Sequence, residues 1–342
     1  MSSLTQYSLC VDRSLLPSND EDAFEFLVGY FNGFHVDYDA EQNYWIVSLK
    51  QEDFTYCENM TKGFDTLNIT AAQCNDFCIE NSVNCLCLSE TWIPYAWSQF
   101  LTKKNVPNRL TIVHIDDHSD LMSPFITQRT GQYFDMFTKE NVCFHNPKMM
   151  KKAIKSGAIY IGSMLTPIAL SVPTTRVLHL KQNVSTSLSV MKYSPYTDNM
   201  LSKCGQRIAI SFCKTHNTQE PSLYLRTSDP TLLLKYILPD STVLLHIDMD
   251  YFNNRYNGSS SWQTECLGLD LPFFKQTALM DSICDVIGEI NTMVPISCTY
   301  IGMSPSFYPS EFWGCGLRYL LTNLDSKGIN VQFLLEKLHH LF

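Results

Sequence analysis

Short apolar runs, each bounded by polar or turn-forming residues, recur along the chain. Runs of this length without strict polar alternation are typical of β-strands buried on both faces, as in a parallel sheet. The predicted strands are Asn84–Leu88, Leu110–Ile115, Ala158–Ile161, Arg176–Leu180, Arg207–Phe212, Thr242–Ile247 and Ile296–Ile301.

Other segments show the period of an amphipathic helix. The apolar residues that share one helical face are Leu279, Ile283, Val286, Ile287 and Ile290. The C-terminal segment Val331–Phe342 has a similar pattern. Strands that alternate with helices predict an α/β fold, a three-layer α/β/α arrangement around a mostly parallel central sheet. In such sheets ligands bind beyond the carboxyl ends of the strands.

The chain shows no repeat of solenoid length and no low-complexity segment. We therefore expect a single domain over residues 1–342. Residues 1–80 are less regular and are interpreted as an N-terminal elaboration of that domain. The stretch Gly258–Ser261 predicts a flexible surface loop close to the chemistry described below.

Composition narrows the classes of function. With 45% hydrophobic and 17% charged residues, the chain can bury a large core. A net charge of -9 without any basic run argues against nucleic acid as a partner. Asp12 and Arg13 interrupt the place of a signal-peptide core, and the apolar stretch Gly157–Val172 falls short of the roughly 20 residues that span a bilayer. We expect a cytoplasmic protein that does not enter a membrane.

The thirteen cysteines allow two interpretations. Cys74 and Cys78, followed by Cys85 and Cys87, could form a structural zinc or redox site. The odd number and the lack of a C-x-x-C pair favour buried free thiols instead.

Two segments carry most of the candidate chemistry. Leu110–Asp120 reads LTIVHIDDHSD, and Val243–Phe252 reads VLLHIDMDYF. Each is an apolar strand that ends in His-Ile-Asp. Since side chains alternate along extended backbone, the acidic and imidazole groups of each segment converge on one side of its strand. The five candidate metal ligands are Asp116, His118, Asp120, Asp248 and Asp250.

Four neighbouring carboxylates repel one another unless a positive charge lies among them. Neither segment contains Lys or Arg, so a pair of divalent cations is the natural counter-charge. Oxygen-rich ligands with one imidazole favour Mn, with Mg or Fe as alternatives. For either segment alone, the competing interpretation is a turn whose Asp side chains cap a helix.

These motifs resemble the ureohydrolase (arginase) superfamily, whose members carry Asp-x-His-x-Asp after one strand and Asp-x-Asp after a later one. Within it, the sequence is most similar to a divergent branch that includes the bacterial peptide arginases. The stretches AIYIGSMLTPIA (Ala158–Ala169) and YIGMSP (Tyr300–Pro305) also resemble that branch.

The resemblance implies an arginase/deacetylase-like fold and two Mn ions per chain. Asp116 and Asp248 would bridge both ions, Asp120 would complete one ligand set, and His118 with Asp250 would complete the other. The implied reaction is hydrolysis of the guanidinium group of arginine to ornithine and urea. An arginine-containing peptide is the expected substrate, with free arginine and agmatine as alternatives, and an oligomeric state is left open.

The sequence departs from the arginase pattern at one ligand. Arginases have a further histidine after an earlier strand, and the matching region, 86–97, has none. Glu90 is the candidate replacement, against the alternative of a solvated Glu at a helix N-terminus. Asp117 stands where arginases have a small residue, and alternation predicts that it points away from the metals.

The glutamate that binds the guanidinium in arginases also has no counterpart, because Gly302 occupies its place. Glu311 is the candidate replacement, against an ordinary loop residue. His145 is a candidate proton shuttle to the leaving amine, against a loop histidine without a role. His114 and His246 are expected to pack behind the ligands rather than bind metal.

Two rival functions remain at this stage. The first is an amidohydrolase of the related deacetylase type, with one zinc and a paired-histidine base. The second is a binding protein that retains the fold without turnover.

Overall fold

One large mixed sheet organises the computed structural model, which describes residues 7–49, 55–182, 188–201, 204–265 and 268–339. The strands are β1 (Ser8–Asp12), β2 (Phe34–Asp39), β3 (Tyr44–Leu49), β4 (Cys78–Glu80), β5 (Asn84–Cys87), β6 (Arg109–Ile115), β7 (Ile126–Arg129), β8 (Gln132–Asp135), β9 (Asn141–Val142), β10 (Thr174–Leu180), β11 (Leu188–Asp198), β12 (Arg207–Lys214), β13 (Leu223–Thr227), β14 (Thr242–Asp248) and β15 (Ile296–Gly302).

Helices connect and cover these strands. They are α1 (Asp20–Tyr30), α2 (Thr61–Leu67), α3 (Ile93–Lys103), α4 (Pro147–Lys155), α5 (Leu165–Leu170), α6 (Trp262–Glu265), α7 (Phe273–Met293), α8 (Trp313–Ser326) and α9 (Gln332–Lys337). Short 3-10 helices cover Arg13–Leu15, Ala71–Asp76, Glu90–Trp92, Pro230–Lys235, Met249–Tyr251 and Ser310–Phe312. The helix predicted from Leu279 to Ile290 is confirmed inside α7, and part of the predicted C-terminal helix forms α9. Residues 340–342 of that prediction lie outside the described residues.

The strand order of the large sheet is β4-β5-β15-β14-β6-β10-β13-β11-β12-β7-β8-β9. The six strands from β5 to β13 are parallel to one another, whereas β4 and the strands beyond β13 pair antiparallel. The α/β class is therefore confirmed, with the parallel strands at the centre of a mixed sheet. Because β6 lies between β14 and β10, the two candidate motifs end side by side.

Two hydrophobic cores lie on opposite faces of the sheet, as alternation along β6 shows: Ile112 belongs to one core and Val113 to the other. Buried residues of α3, α4 and α5 pack in the first core, and those of α7, α8 and α9 pack in the second. Six of the seven predicted strands coincide with observed strands.

The strand predicted at Ala158–Ile161 is wrong. This segment is a turn between α4 and α5, and Gly157 and Gly162 on either side of it have φ of +84° and +80°. Its apolar residues are largely buried all the same, with Ala158 fully inaccessible. A short apolar run shows that a segment is buried, but it cannot distinguish a buried loop from a strand.

The N-terminal region forms its own antiparallel sheet, in the order β1-β3-β2, beside α1. It packs on the first core through aromatic rings: Phe31 and Phe34 lie 4.9 and 5.0 Å from Phe125, measured between ring centroids. Among the described residues, none of the helices combines the length and the apolar character that crossing a bilayer requires.

Candidate metal centre

The candidate ligands follow the adjacent carboxyl ends of β6 and β14. Ile115 pairs with Ile247, so Asp116 and Asp248, the next residues, emerge side by side. Each carboxylate also accepts a backbone N–H two residues ahead, His118 N at 2.5 Å and Asp250 N at 3.3 Å. The helix-capping interpretation therefore holds for Asp248, which caps the 3-10 helix Met249–Tyr251, whereas Asp116 is followed by a bend. Both turns direct the following ligands toward one point.

Five carboxylates and one imidazole meet there. Asp116, Asp120, Asp248, Asp250 and Glu90 are all at most 6% exposed. Ligand atoms fall within 4.8 Å of one another in three overlapping groups: Asp116 with His118 and Asp250, Asp116 with Glu90 and Asp120, and Asp116 with His114 and His246. His, Asp and Glu groups in this arrangement could hold a metal ion, and Asp116 belongs to all three groups.

Four fully buried oxygens of this cluster are poorly matched by donors. Asp116 Oδ2 and Asp120 Oδ2 have no hydrogen-bond partner among the described residues. Asp250 Oδ2 and Glu90 Oε1 each contact only a histidine nitrogen, His118 Nδ1 and His246 Nε2, both at 2.8 Å. An ionised carboxylate left in this state is strongly destabilising, because it has lost its water and gained no counter-charge. The donor set and its unmatched oxygens therefore fit hard divalent cations.

Burial dominates the electrostatics of the carboxylates. It raises the pKa values of Asp116, Asp248 and Glu90 well above their usual range, and the neighbouring carboxylates raise them further. Burial also raises the pKa of Asp120. The pKa of His118 is raised as well, but not by burial. Burial would lower its pKa, but the hydrogen bond and charge of Asp250, with Nδ1–Oδ2 at 2.8 Å, outweigh it and raise the pKa to about 9.

Glu90 enters the cluster from a third strand. It begins the 3-10 helix that follows β5, and it is 6% exposed, so the solvated alternative for this residue is wrong. Its carboxylate fills the space beside Gly302, where an added Cβ would lie 2.4 Å from Glu90 Oε1. Gly302 is therefore the residue that makes room for Glu90.

A row of buried histidines lies one pleat below the carboxylates. His179 on β10, His114 on β6 and His246 on β14 are paired in register across the sheet, and each is at most 1% exposed. Burial, as the largest cause, lowers the pKa values of His179 and His246 to about 3 and that of His114 well below its usual value. The rings are therefore neutral near pH 7.

Hydrogen-bond polarity assigns the tautomers of this row. His114 Nε2 donates to the His118 carbonyl at 2.9 Å, so its Nδ1 accepts from His246 Nδ1 at 2.8 Å. His179 Nε2 likewise donates to the Asp116 carbonyl at 3.0 Å, and its Nδ1 accepts from Tyr224. The expected packing of His114 and His246 behind the ligands agrees with these contacts.

One ring nitrogen of the histidine row, His246 Nε2, faces the carboxylate cluster. His246 Nε2 lies 2.8 Å from Glu90 Oε1. Since a neutral His246 with a proton on Nδ1 has none on Nε2, one proton must lie between these two atoms whenever Glu90 binds no cation.

Sequence reasoning did not identify His179, although the run VLHL on β10 has the same strand-histidine pattern as the two motifs. It also missed the loop after β15. There the Ser304 hydroxyl donates to Asp248 Oδ2 at 2.5 Å, and the Phe307 ring lies 5.1 Å from the His118 ring at 74°. Ser304 lies in the stretch YIGMSP that was quoted for the resemblance, and Phe307 lies just beyond it, but nothing in the sequence indicated that either residue contacts a ligand.

Asp117 points out of the cluster, as alternation predicts. Its carboxylate contacts Lys181 Nζ at 3.2 Å and accepts from Asn254 Nδ2 at 3.0 Å. Its carboxylate therefore has a cationic partner in the protein, whereas Asp116 Oδ2 has no partner among the described residues.

The other two candidate catalytic residues lie elsewhere. His145 Nε2 bonds the Ser171 carbonyl at 3.2 Å, just before β10 begins, whereas the cluster lies beyond the other end of this seven-residue strand. A strand of that length spans roughly 20 Å, and this separation argues against the proton-shuttle role. Glu311 forms an ion pair with Arg255 Nη1 at 2.8 Å, so the protein itself supplies its cation.

The cysteine pattern does not form a four-thiol site. Cys74 belongs to the core on one face of the sheet, and Cys85 and Cys87 belong to the core on the other face. Cys78 Sγ lies 3.7 Å from Cys85 Sγ without a bond between them. These residues are free thiols, as the favoured interpretation predicted.

No protein-family model and no curated protein matches this chain. The resemblance to the ureohydrolases therefore stays a prediction that rests on the motifs at residues 116–120 and 248–250.

Proposed function

We propose that this protein is a dinuclear manganese hydrolase that cleaves the guanidinium group of arginine within a peptide, yielding ornithine and urea on an arginase-like three-layer fold. The observation that carries the proposal is the convergence of five buried carboxylates, of which Asp116 and Asp120 each have an oxygen without a described protein partner. Such a cluster is stable when divalent cations supply the missing positive charge.

Two of the three overlapping ligand groups, those with exposed or carboxylate partners of Asp116, support a division between two ions. Glu90 and Asp120 would hold one ion, His118 and Asp250 would hold the other, and Asp116 would contact both. Asp248, beside Asp116, is the proposed second bridge. When bound, two such ions lower the pKa of water held between them and supply a nucleophile near neutral pH.

Among the described residues of the cluster, access from the surface is at His118. His118 is the exposed member of the cluster, with 40% of its side chain accessible, and Phe307 packs against its ring. A cationic guanidinium would enter beside these rings toward the carboxylates, whose negative charge attracts it. The sealed histidine row closes the opposite side of the centre to water.

The deacetylase-type rival requires a histidine pair that can act as a base. His114 and His246 do form a pair, but both are inaccessible and their ring nitrogens are occupied by the His118 carbonyl, by Glu90 and by each other. This geometry favours a supporting role over a catalytic one.

A metal-binding protein without turnover is the second candidate. It is favoured by one observation: Glu311, the candidate partner for the substrate cation, is already paired with Arg255.

Metal analysis and product analysis of the same purified protein test these proposals. We expect about two Mn per chain after loading, and a loss of about 42 Da from an arginine-containing peptide as arginine becomes ornithine. Asp248→Asn serves as the inactive control, and free arginine and agmatine test the substrate class. One zinc per chain would favour the deacetylase type, and two Mn without any mass change would favour the binding protein.

A further inference from the structure

A segment of the N-terminal region contacts the loops beside the candidate metal centre. Tyr56, Cys57 and Glu58 precede α2 and contact the two loops that follow the ligand strands β14 and β15. The Tyr56 hydroxyl donates to the Gly258 carbonyl at 3.0 Å, and the Cys57 thiol interacts with the Ser306 side chain. The motifs that resemble the ureohydrolases all lie outside residues 1–80, so none of these contacts follows from them.

Glu58 makes the strongest of these contacts. Its two carboxylate oxygens accept the Ser310 N–H at 2.8 Å and the Ser310 hydroxyl at 3.0 Å. Ser310 begins the 3-10 helix that continues into α8, and neither helix has a side-chain cap from its own N-cap residue. A carboxylate at this position satisfies free N–H groups and interacts favourably with the helix dipole. Glu58 therefore anchors the end of the 303–312 loop.

The same loop touches two proposed metal ligands. Ser304 holds Asp248 by a hydrogen bond, and Phe307 packs on His118. Ser304 and Ser306 have φ of +44° and +70°, a region that non-glycine residues rarely adopt. Surrounding contacts must hold the loop in this conformation, and those made by Cys57 and Glu58 are at the right places to do so.

We propose that Glu58 is a positioning residue of the metal centre: it fixes the 303–312 loop so that Ser304 and Phe307 hold Asp248 and His118 in their ligand geometry. The inference rests on the proposed metal centre and not on the identity of the substrate. It makes the N-terminal region part of the site.

Manganese affinity is the direct test. Glu58→Ala should weaken Mn²⁺ binding about tenfold, as loss of residues that orient metal ligands commonly does. Glu58→Gln, which keeps one acceptor oxygen, should weaken it less. Glu25→Ala, on the exposed face of α1, is the matched control and should bind like the parent. Titration calorimetry with Mn²⁺ alone measures all four proteins.

A double-mutant cycle tests whether Glu58 acts through the loop. If it does, Glu58→Ala combined with Ser304→Ala should bind Mn²⁺ little more weakly than Ser304→Ala alone. Fully additive losses, as independent sites give, would overturn the inference.

Hydrogen exchange of the metal-free protein gives a second readout. Amides of residues 303–312 should exchange faster in Glu58→Ala and in Glu58→Gln than in Glu25→Ala, while the strands of the sheet keep their protection. Unchanged exchange in that loop overturns the proposal even if one variant folds poorly. A parent protein that binds Mn²⁺ while both Glu58 variants bind equally well overturns this inference alone. A folded parent that binds no Mn²⁺ overturns the metal centre and this role with it.

Discussion

The carboxylate cluster and the histidine row beneath it are buried to a similar degree, yet their polar atoms are satisfied differently. His114 and His179 each find a donor and an acceptor within the protein. Among the described residues of the cluster, Asp116 Oδ2 and Asp120 Oδ2 have no donor, and Glu90 Oε1 and Asp250 Oδ2 contact only a histidine nitrogen. Both sets stand on neighbouring parallel strands, so their place in the sheet does not explain the difference.

The chemistry of the two groups explains it. A neutral imidazole has one donor and one acceptor, so a row of imidazoles and carbonyls can complete itself. An ionised carboxylate only accepts, so carboxylates cannot satisfy one another. The histidine row can therefore satisfy its polar atoms within the protein, whereas the carboxylate cluster could hold a metal ion.

The largest effect is expected when a carboxylate shared between ligand groups is removed, because the cluster then differs most from its present composition. Asp116→Asn should eliminate turnover and reduce the bound metal from about two ions to one or none, because Asp116 belongs to the ligand groups of both proposed ions. The same change removes a repelling charge, so the metal-free variant should melt a few degrees above the metal-free parent. Elemental analysis and melting in a chelator measure both effects. A variant with full metal content would refute the shared-ligand assignment.

In the metal-free protein, the carboxylate cluster and the histidine row should contribute to stability with opposite dependences on pH. Raised carboxyl pKa values mean that the folded state holds more protons, so this contribution to stability is lost as pH rises above about 4. The pKa values of His179 and His246 are lowered to about 3, so their contribution is lost as pH falls below about 6.5.

Variants separate these two contributions in melting experiments with a chelator. Asp248→Asn should stabilise the metal-free protein more at about pH 7 than at about pH 4. His179→Gln should lose less stability than the parent between about pH 7 and pH 5. If stability depends on pH in the same way in the parent and both variants, the pKa values of Asp248 and His179 are not shifted as described.

A substitution that displaces the Glu90 carboxylate should weaken the binding of one of the two proposed ions selectively. Gly302→Ala places a Cβ 2.4 Å from Glu90 Oε1, so the carboxylate must move, and we expect about tenfold weaker binding of the ion it shares with Asp120. Glu90→Gln should weaken the same ion. Gly29→Ala, where a Cβ meets no atom within 4 Å, is the control. If a calorimetric titration shows that both ions bind equally less tightly, the assignment of Glu90 to one ion is contradicted.

The smallest effect is expected at Glu311. Its ion pair with Arg255 is partly exposed, with 38% of the Glu311 side chain accessible, so Glu311→Ala should cost about 0–1 kcal/mol of stability. Because Arg255 occupies this carboxylate, we expect the KM for an arginine peptide to change little. A several-fold rise in KM would instead support Glu311 as the partner of the substrate cation.

Much of the sheet was predictable because buried strands leave apolar runs in the sequence. The exception, Ala158–Ile161, is equally apolar but turns between two helices, and its burial comes from packing rather than from strand pairing. Short strands such as β4 and β9 lack a run long enough to detect.

Prediction of the site succeeded where the ligands follow one another along the chain. Alternation alone placed Asp116, His118 and Asp120 together and turned Asp117 outward. It could not decide between burial and solvation for Glu90, because that depends on Gly302 of a different strand. The role of His145 was predicted from its residue type alone, and the sequence did not show that His145 lies beyond the other end of β10 from the cluster.

The sequence by itself determined the α/β class, the two strand-then-ligand motifs and their excess of negative charge, since these depend on residue type and on the period of extended backbone. Only the tertiary structure decided that β6 and β14 are neighbours, that Glu90 joins their ligands, and that Ser304 and Glu58 support them. Contacts such as Glu58 to Ser310 join residues far apart in the chain, and they form through packing of the whole molecule, which no local pattern encodes.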